Sequence, residues 1–585
     1  MMWATVSLLL LLAARIAIAA PNCPPLGPVF DKPKNFNSSA AIRDAIANLT
    51  ATLSARDQDP ATGANDTSYS IEVFSTNDGG TPIFSWHYTA PALAKVNMTG
   101  VRKTDANAVY RLGSLTKIFT MYTWLAQDGD ARWNEPITKY VPELAAPAGR
   151  AQSDPVANVA WGDVTIGALA SQLSGAVRDY GLLGEITQEF NQSTAMGYGF
   201  PPLNSSDPTL PQCGEWPLCN RTEFFNGLLQ VYPSYAPFTT PAYANTGFQI
   251  LGYALESIKG KSFQSMMEES ILQPLGLNHT YYANPPANVG IIPGSGKDAG
   301  WDYQIGEEAP AGNMYSSVGD ISALGRSIMQ STILSPAVTR RWLKPAALTS
   351  EPVAGVGYPW GIRRIILPEA NGKRTLDAYN KAGRIGYYAS LLNLLPDYDV
   401  GFSVLIAGPN IPGNANFNLA DVLGTQLVPA LEAAAREQAN NRYAGSYADT
   451  TRNSSLRLTT QADRPGLGIE GWISNGTDME TVAVALSAGY TPVKPTIRLY
   501  PTGLETKRSD GSKRVAFKAT FEDENSPARP NSMFSTDCGS WVTLTSVTYG
   551  SQPLDQFVFE VDAQDRVVSI ESPALREAMQ KQTGS

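Results

Sequence analysis

The stretch RLGSLTKIFT (Arg111–Thr120) sets Ser114 and Lys117 three residues apart, and no other Ser-x-x-Lys occurs in the chain. Side chains at i and i+3 share one face of a helix, so a hydroxyl and an amine would lie side by side. A serine hydroxyl is a weak nucleophile until a base takes its proton. A lysine serves as that base only when neutral, a state favoured by burial or by a second nearby cation. A serine at a helix start also faces free backbone N–H groups and the positive end of the helix dipole, which suit a developing oxyanion. Taken alone, the pair fits an N-cap serine with a surface lysine one turn on better than it fits a catalytic pair.

Other serine chemistries fit poorly. No Gly-x-Ser-x-Gly elbow is present. Only two histidines exist: His87 lies in an expected strand and His279 inside an Asn-x-Thr sequon, so neither recommends a Ser-His-Asp triad. Two histidines and four cysteines expected to be paired make no His/Cys metal cluster, and neither metal nor cofactor is expected. The base for Ser114 is therefore assigned to Lys117.

The elements that position this pair follow from periodicity. Leu115, Ile118, Phe119, Tyr122 and Leu125 recur at helix spacing, Met121 and Trp124 widen the stripe, and Gly129 suits the C-terminal cap. Upstream, AAIRDAIANLTATL reads as a helix. SYSIEVFST and PIFSWHYTA, split by Asn77-Asp78-Gly79-Gly80, read as a β-hairpin. Residues 130–335 mix loops with the helical runs DVTIGALASQLSG, GFQILGYALESIKG, SFQSMMEESILQPLGL and SVGDISALGRSIMQ. Strand signals return from about Tyr358 to Ala407, with a hairpin turned at Pro396-Asp397. The two strand-rich ends are expected to share one antiparallel sheet flanked by helices, with the helical part beside it. VLGTQLVPALEAAAREQANN closes this α/β (α+β) unit as a helix. Beyond Tyr443, short runs including TVAVALSA, VAFKATFED, SWVTLTSVTY and DQFVFEVDA predict an antiparallel β-barrel or sandwich.

The N-terminus carries an apolar run, Leu8–Leu12, and a small-x-small signal, Ala17-Ile18-Ala19. This predicts a secretory signal peptide over 1–19 rather than a membrane anchor, and no later segment is apolar enough to span a bilayer. The expected organisation is 1–19 signal, 20–440 catalytic unit and 441–585 C-terminal β unit. Sequons stand at Asn37, Asn48, Asn65, Asn97, Asn191, Asn204, Asn220, Asn278, Asn453 and Asn475. Ten of them behind a signal peptide predict a secreted glycoprotein. Four cysteines allow three pairings; the short Gly/Pro loop between Cys213 and Cys219 favours that pair, leaving Cys23 with Cys538. Among the 585 residues the net charge is −9, with no basic patch to point to nucleic acid.

Three elements in order then carry a family resemblance. RLGSLTK resembles the Ser-x-x-Lys element of the penicillin-binding protein and β-lactamase superfamily, most closely its class C β-lactamase and serine esterase branch. The branch's Tyr-x-Asn element occurs twice, as Tyr243-Ala244-Asn245 and Tyr282-Ala283-Asn284. The first precedes a helix start and the second precedes Pro285-Pro286, so Tyr243 and Asn245 are chosen. The third element is Lys381-Ala382-Gly383, the chain's only Lys-x-Gly. The resemblance spans roughly Ala40 to Ala430. It implies an acyl-enzyme on Ser114, with Lys117 and Tyr243 sharing the base role and Tyr243 held as a phenolate by two lysines. Asn245 and Lys381 would orient substrate, Gly383 would admit it close to the strand, and the backbone N–H groups of Ser114 and Arg384 would hold the oxyanion. The chain departs from the pattern at Ala382, where the family often has a Thr or Ser that helps bind a substrate carboxylate. Gln172-Leu173-Ser174-Gly175 likewise stands where the family often has HTSG. The expected activity is hydrolysis of an ester or amide in a small-molecule or peptide-like acyl substrate. An acyltransferase and a non-catalytic binding protein are the alternatives. The C-terminal unit resembles a small lipocalin-like barrel and is expected to cover one side of the cleft.

Overall fold

The computed structural model describes residues 23–96, 99–215, 217–368, 370, 373–525, 533 and 538–582. The signal-peptide expectation over 1–19 and the sequon at Asn97 lie outside the described residues. Helix α1 (Ala40–Arg56) leads to β1 (Ser68–Ser75) and β2 (Phe84–Tyr88), the expected hairpin. Helices α2 (Thr116–Asp128), α3 (Thr246–Lys259) and α4 (Val318–Gln330) belong to the middle of the chain. The strands then resume as β3 (Ala347–Leu348), β4 (Ala354–Val356), β5 (Gly361–Ile366), β6 (Thr375–Ile385), β7 (Tyr388–Leu395) and β8 (Val400–Ala407). They form one antiparallel sheet in the order β2-β1-β8-β7-β6-β5-β4-β3. Both strand-rich ends of the unit thus share a sheet, because β1 pairs with β8 across more than 300 residues of chain.

The sheet divides two cores. On one face, Ile42, Leu49 and Leu53 of α1 pack with Leu419, Leu423 and Leu431 of α5 (Ala415–Tyr443) over Ile71, Val73, Leu391 and Val404. On the other face, Leu115, Ile118, Phe119 and Tyr122 pack with Phe248, Leu251 and Leu255 of α3 and Ile321 and Leu324 of α4. Successive strand residues point to opposite faces, so β7 contributes Leu391 to one core and Leu392 and Leu394 to the other. Every residue of α2 from Thr116 to Leu125 is buried, Lys117 included.

The C-terminal unit is a closed barrel. Strands β9 (Gly445–Asp449), β10 (Ser454–Gln461), β11 (Arg464–Ser474), β12 (Pro495–Lys507), β13 (Lys513–Asp523), β14 (Gln556–Val561), β15 (Val567–Ser572) and β16 (Glu577–Lys581) pair in chain order, all antiparallel. The pairing of β16 with β9 closes the ring and leaves no free edge. Side chains fill the interior: Tyr447, Leu458, Trp472, Phe517, Phe557, Phe559 and Met579 form one buried cluster. Tyr443, at the end of α5, enters that cluster with its ring 5.3 Å from Phe517 and 4.7 Å from Phe559. One helix therefore covers the sheet with its first turns and the barrel with its last.

Three expectations need correction. TVAVALSA is not a strand but part of helix α6 (Met479–Ala488), which Asp478 caps through the Glu480 N–H and Gly489 ends at φ 74°. Ser540–Thr543 of SWVTLTSVTY is a single helical turn. DVTIGALASQLSG is helical only over Ile166–Ala170, after which Gln172 takes φ 64° and the chain turns back. The barrel meets the first unit through α5, residues 28–35 and a cavity that Gly503 shares with Asp377, Tyr379, Pro396 and Asp399. That cavity lies toward the start of β6, whereas Lys381 and Gly383 lie toward its end.

Candidate active site

Ser114 sits in a 3-10 turn, Gly113–Leu115, that runs straight into α2. Its hydroxyl is half-buried, whereas Lys117 one turn on is wholly buried. Lys117 Nζ lies 3.1 Å from Ser114 Oγ, 2.5 Å from Asn245 Oδ1 and 2.6 Å from the Ala311 carbonyl oxygen. Burial strips water from the ammonium and pulls the lysine down to about 7, against the opposing pull of Glu308 and Asp179.

The second element arrives from the loop before α3. Tyr243 donates its hydroxyl to Ser114 Oγ at 2.6 Å. Its ring stands 5.0 Å from Lys117 Nζ, 5.3 Å from Lys381 Nζ and 4.9 Å from the Arg178 guanidinium carbon. Asn245 precedes the first residue of α3, where an Asn side chain ordinarily caps the helix N–H groups. Here it makes no such cap. Its oxygen takes the Lys117 hydrogen instead, and its Nδ2 donates to Asp179 Oδ1 at 2.6 Å.

The third element is on β6. Lys381 is 8% exposed and donates to the Ala382 carbonyl at 2.7 Å. Burial lowers it to about 8, with Lys117 adding to the effect and the Tyr243 phenol opposing it. Gly383 passes so close to the 3-10 turn that a Cβ there would lie 1.9 Å from Leu112 O and 2.8 Å from Leu115 N. The reverse contact is as tight: a Cβ on Gly113 would lie 2.6 Å from Arg384 N. The peptide links bearing the Ser114 and Arg384 amides thus belong to facing backbone segments. The Arg384 side chain turns away, donating to the Ile411 and Pro412 carbonyls at 2.7 and 3.0 Å.

The structure therefore brings Ser114, Lys117, Tyr243, Asn245, Lys381 and Gly383 together from three distant segments. The alternative Tyr282-Ala283-Asn284 stands apart: Tyr282 packs on Phe263, its carbonyl accepts from Asn313, and Asn284 takes φ 49°. Three participants were not read from the sequence: the Ala311 carbonyl, Asp179 and Glu308. Glu308 is 2% exposed, neither of its oxygens has a hydrogen-bond partner, and burial pushes it well above the usual carboxylate range. Asp179 follows the segment Gln172–Gly175 by four residues, so an acid beside that segment was the available signal.

Disulfides join Cys23 to Cys538 and Cys213 to Cys219, with Cα separations of 5.3 and 4.9 Å. The asparagines of the nine described sequons are all exposed. Among the described residues no helix is long and apolar enough to cross a membrane.

Comparison with known proteins agrees with this fold. A Beta-lactamase family model matches residues 75–423, and a second model, described as "Beta-lactamase-like-like, C-terminal domain", matches 435–583. A "Beta-lactamase-like protein" of Arthroderma benhamiae is 30% identical over 600 aligned residues, covering 96% of each chain. A "Probable hydrolase M10" of Phoma sp. is 27% identical over 86% of this chain and 83% of its own. A solved class C beta-lactamase superposes with TM-score 0.44 at 16% identity, over 66% of this chain and 97% of its own. The chain belongs to the β-lactamase family, whose members are serine hydrolases.

Proposed function

We propose that this protein is a secreted serine hydrolase that cleaves an ester or amide through an acyl-enzyme on Ser114. The observation that carries this reading is the placement of Ser114 Oγ between a buried Lys117 amine at 3.1 Å and the Tyr243 hydroxyl at 2.6 Å. Lys117, neutral above about 7, takes the hydroxyl proton as Ser114 attacks the carbonyl carbon. Tyr243, bonded to the same oxygen, shares this proton, and the pair returns one to the leaving group. Water then repeats the sequence on the ester carbonyl and frees Ser114. The backbone N–H groups of Ser114 and Arg384 bind the oxyanion, a role supported by the close approach of Gly113 and Gly383. Asn245 holds the lysine, and Lys381 faces the substrate beside Tyr243.

The substrate is a small-molecule or peptide-like acyl compound. Ala382 offers no hydroxyl for a substrate carboxylate, which favours neutral acyl groups over carboxylate-bearing β-lactams. Secretion and glycosylation are supported by the two disulfides and the exposure of the nine described sequon asparagines. The division of the chain near 440, inside the last turn of α5, belongs to the same proposal. The test is labelling with a fluorophosphonate probe. Wild type is expected to be labelled and Ser114→Ala not. Equal labelling of both would end the reading.

A further inference from the structure

Lys117 Nζ touches three groups, and two of them, the carbonyl oxygens of Asn245 and Ala311, can only accept. A neutral amine has two hydrogens and one lone pair. Its hydrogens therefore go to the two carbonyls, and its lone pair faces the one neighbour able to donate, the Ser114 hydroxyl. This works only while Asn245 shows Lys117 its oxygen. A flipped amide would set two N–H donors against the lone pair.

An amide's orientation is read from its network, and here the network has one anchor. Asn245 Nδ2 lies 2.6 Å from Asp179 Oδ1, so a flip would press the amide oxygen against a carboxylate. The Asp179 side chain is 7% exposed and forms an ion pair with Arg178 Nε at 3.2 Å. The Arg178 carbonyl accepts the Asn245 N–H at 2.7 Å, and its guanidinium lies over the Tyr243 ring. We propose that Asp179 is a positioning residue of this site, locking the Asn245 amide so that the lone pair of Lys117 is left for Ser114. The inference rests on the hydrolase reading above.

The charged and titratable groups around Lys117 are Asp179 and Arg178 from the loop after Gly175, Glu308 from the turn Gly306–Glu308, Tyr243 and Lys381. A carboxylate near the lysine favours its ammonium form, so removing the Asp179 charge lets the neutral amine persist to lower pH.

The experiment is the rate of fluorophosphonate labelling of Ser114 against pH in the full chain, for wild type, Asp179→Asn and Asp179→Ala. Asp179→Ala, with no acceptor for the amide, is expected to label roughly 100-fold more slowly. Asp179→Asn keeps an acceptor oxygen and is expected to lose less. Both should carry the acid limb below its wild-type position. A role in folding alone would slow labelling without moving that limb, and would overturn the proposal, as would wild-type rates in Asp179→Ala. If Asp179→Ala fails to fold, the limb in Asp179→Asn decides. A wild type unlabelled at Ser114 overturns the hydrolase reading and this inference with it; a labelled wild type beside unaffected variants overturns this inference alone.

Discussion

At the scale of single residues, burial deprives the two lysines of the proposed site of water. Lys117 is brought down to about 7 and Lys381 to about 8, both chiefly by burial. The proposed reaction needs the first neutral, to take the Ser114 proton, and the second charged. The expected pH dependence of kcat/KM is therefore a bell, rising through about 7 as Lys117 loses its proton and falling through about 8 as Lys381 loses its own. Lys117→Ala should cost about 10²–10⁴ in kcat, the usual worth of a general base, with the acid limb gone. A steady-state pH profile with a neutral ester checks both. Gly383 is a steric requirement of a different kind, since any side chain there meets Leu112 O and Ser390 Oγ. Gly383→Ala is expected to push β6 off the 3-10 turn, abolish turnover and cost about 1–3 kcal/mol of stability.

At the scale of elements, α2 and α3 were legible because each is one continuous helical stripe with a cap at its end. Ser114 and Lys117 were legible for the same reason, as a spacing within one turn. Choosing Tyr243 over Tyr282 rested on the helix that starts at Thr246 and on the family pattern, which sets Tyr-x-Asn just before such a helix. Asp179 and Glu308 were not legible. Their meaning comes from loops that tertiary packing sets against Lys117, and one buried acid in a loop has no period to reveal it. The order of the main sheet was hidden likewise, since its central β1–β8 pairing spans most of the unit. Helix α6 was misread because Val and Ala alternate in TVAVALSA and mimic a strand period. Its caps carry the helical information: Asp478 Oδ1 accepts from the Glu480 N–H at 3.0 Å, and Gly489 ends it in the left-handed region. Asp478→Ala is expected to destabilise the barrel by about 1 kcal/mol, read by urea titration, with Ser114 labelling unchanged.

At the scale of the whole molecule, α5 and its partners join catalytic sheet and barrel into one body. Arg374, just before β6, is buried with Asp397 at 2.7 Å, Glu432 of α5 at 2.9 Å and the Tyr398 hydroxyl at 3.1 Å. This cluster pins the helix that enters the barrel to the strand that carries Lys381. Removing the arginine leaves two buried carboxylates without their cation, so Arg374→Ala is expected to cost about 3–5 kcal/mol in urea unfolding. The barrel's own interior is filled, and Gly503 of the barrel shares a cavity with residues near the start of β6. The central claim is covalent chemistry at one serine, and the intact mass of the full chain tests it most directly. After brief incubation with a panel of esters, amides and β-lactams, at least one compound is expected to add the mass of its acyl group to wild type. Peptide mapping should place that mass on Ser114, and Ser114→Ala should show none. Turnover of the same compound by Ser114→Ala, or an acyl mass mapped to another residue, would contradict it.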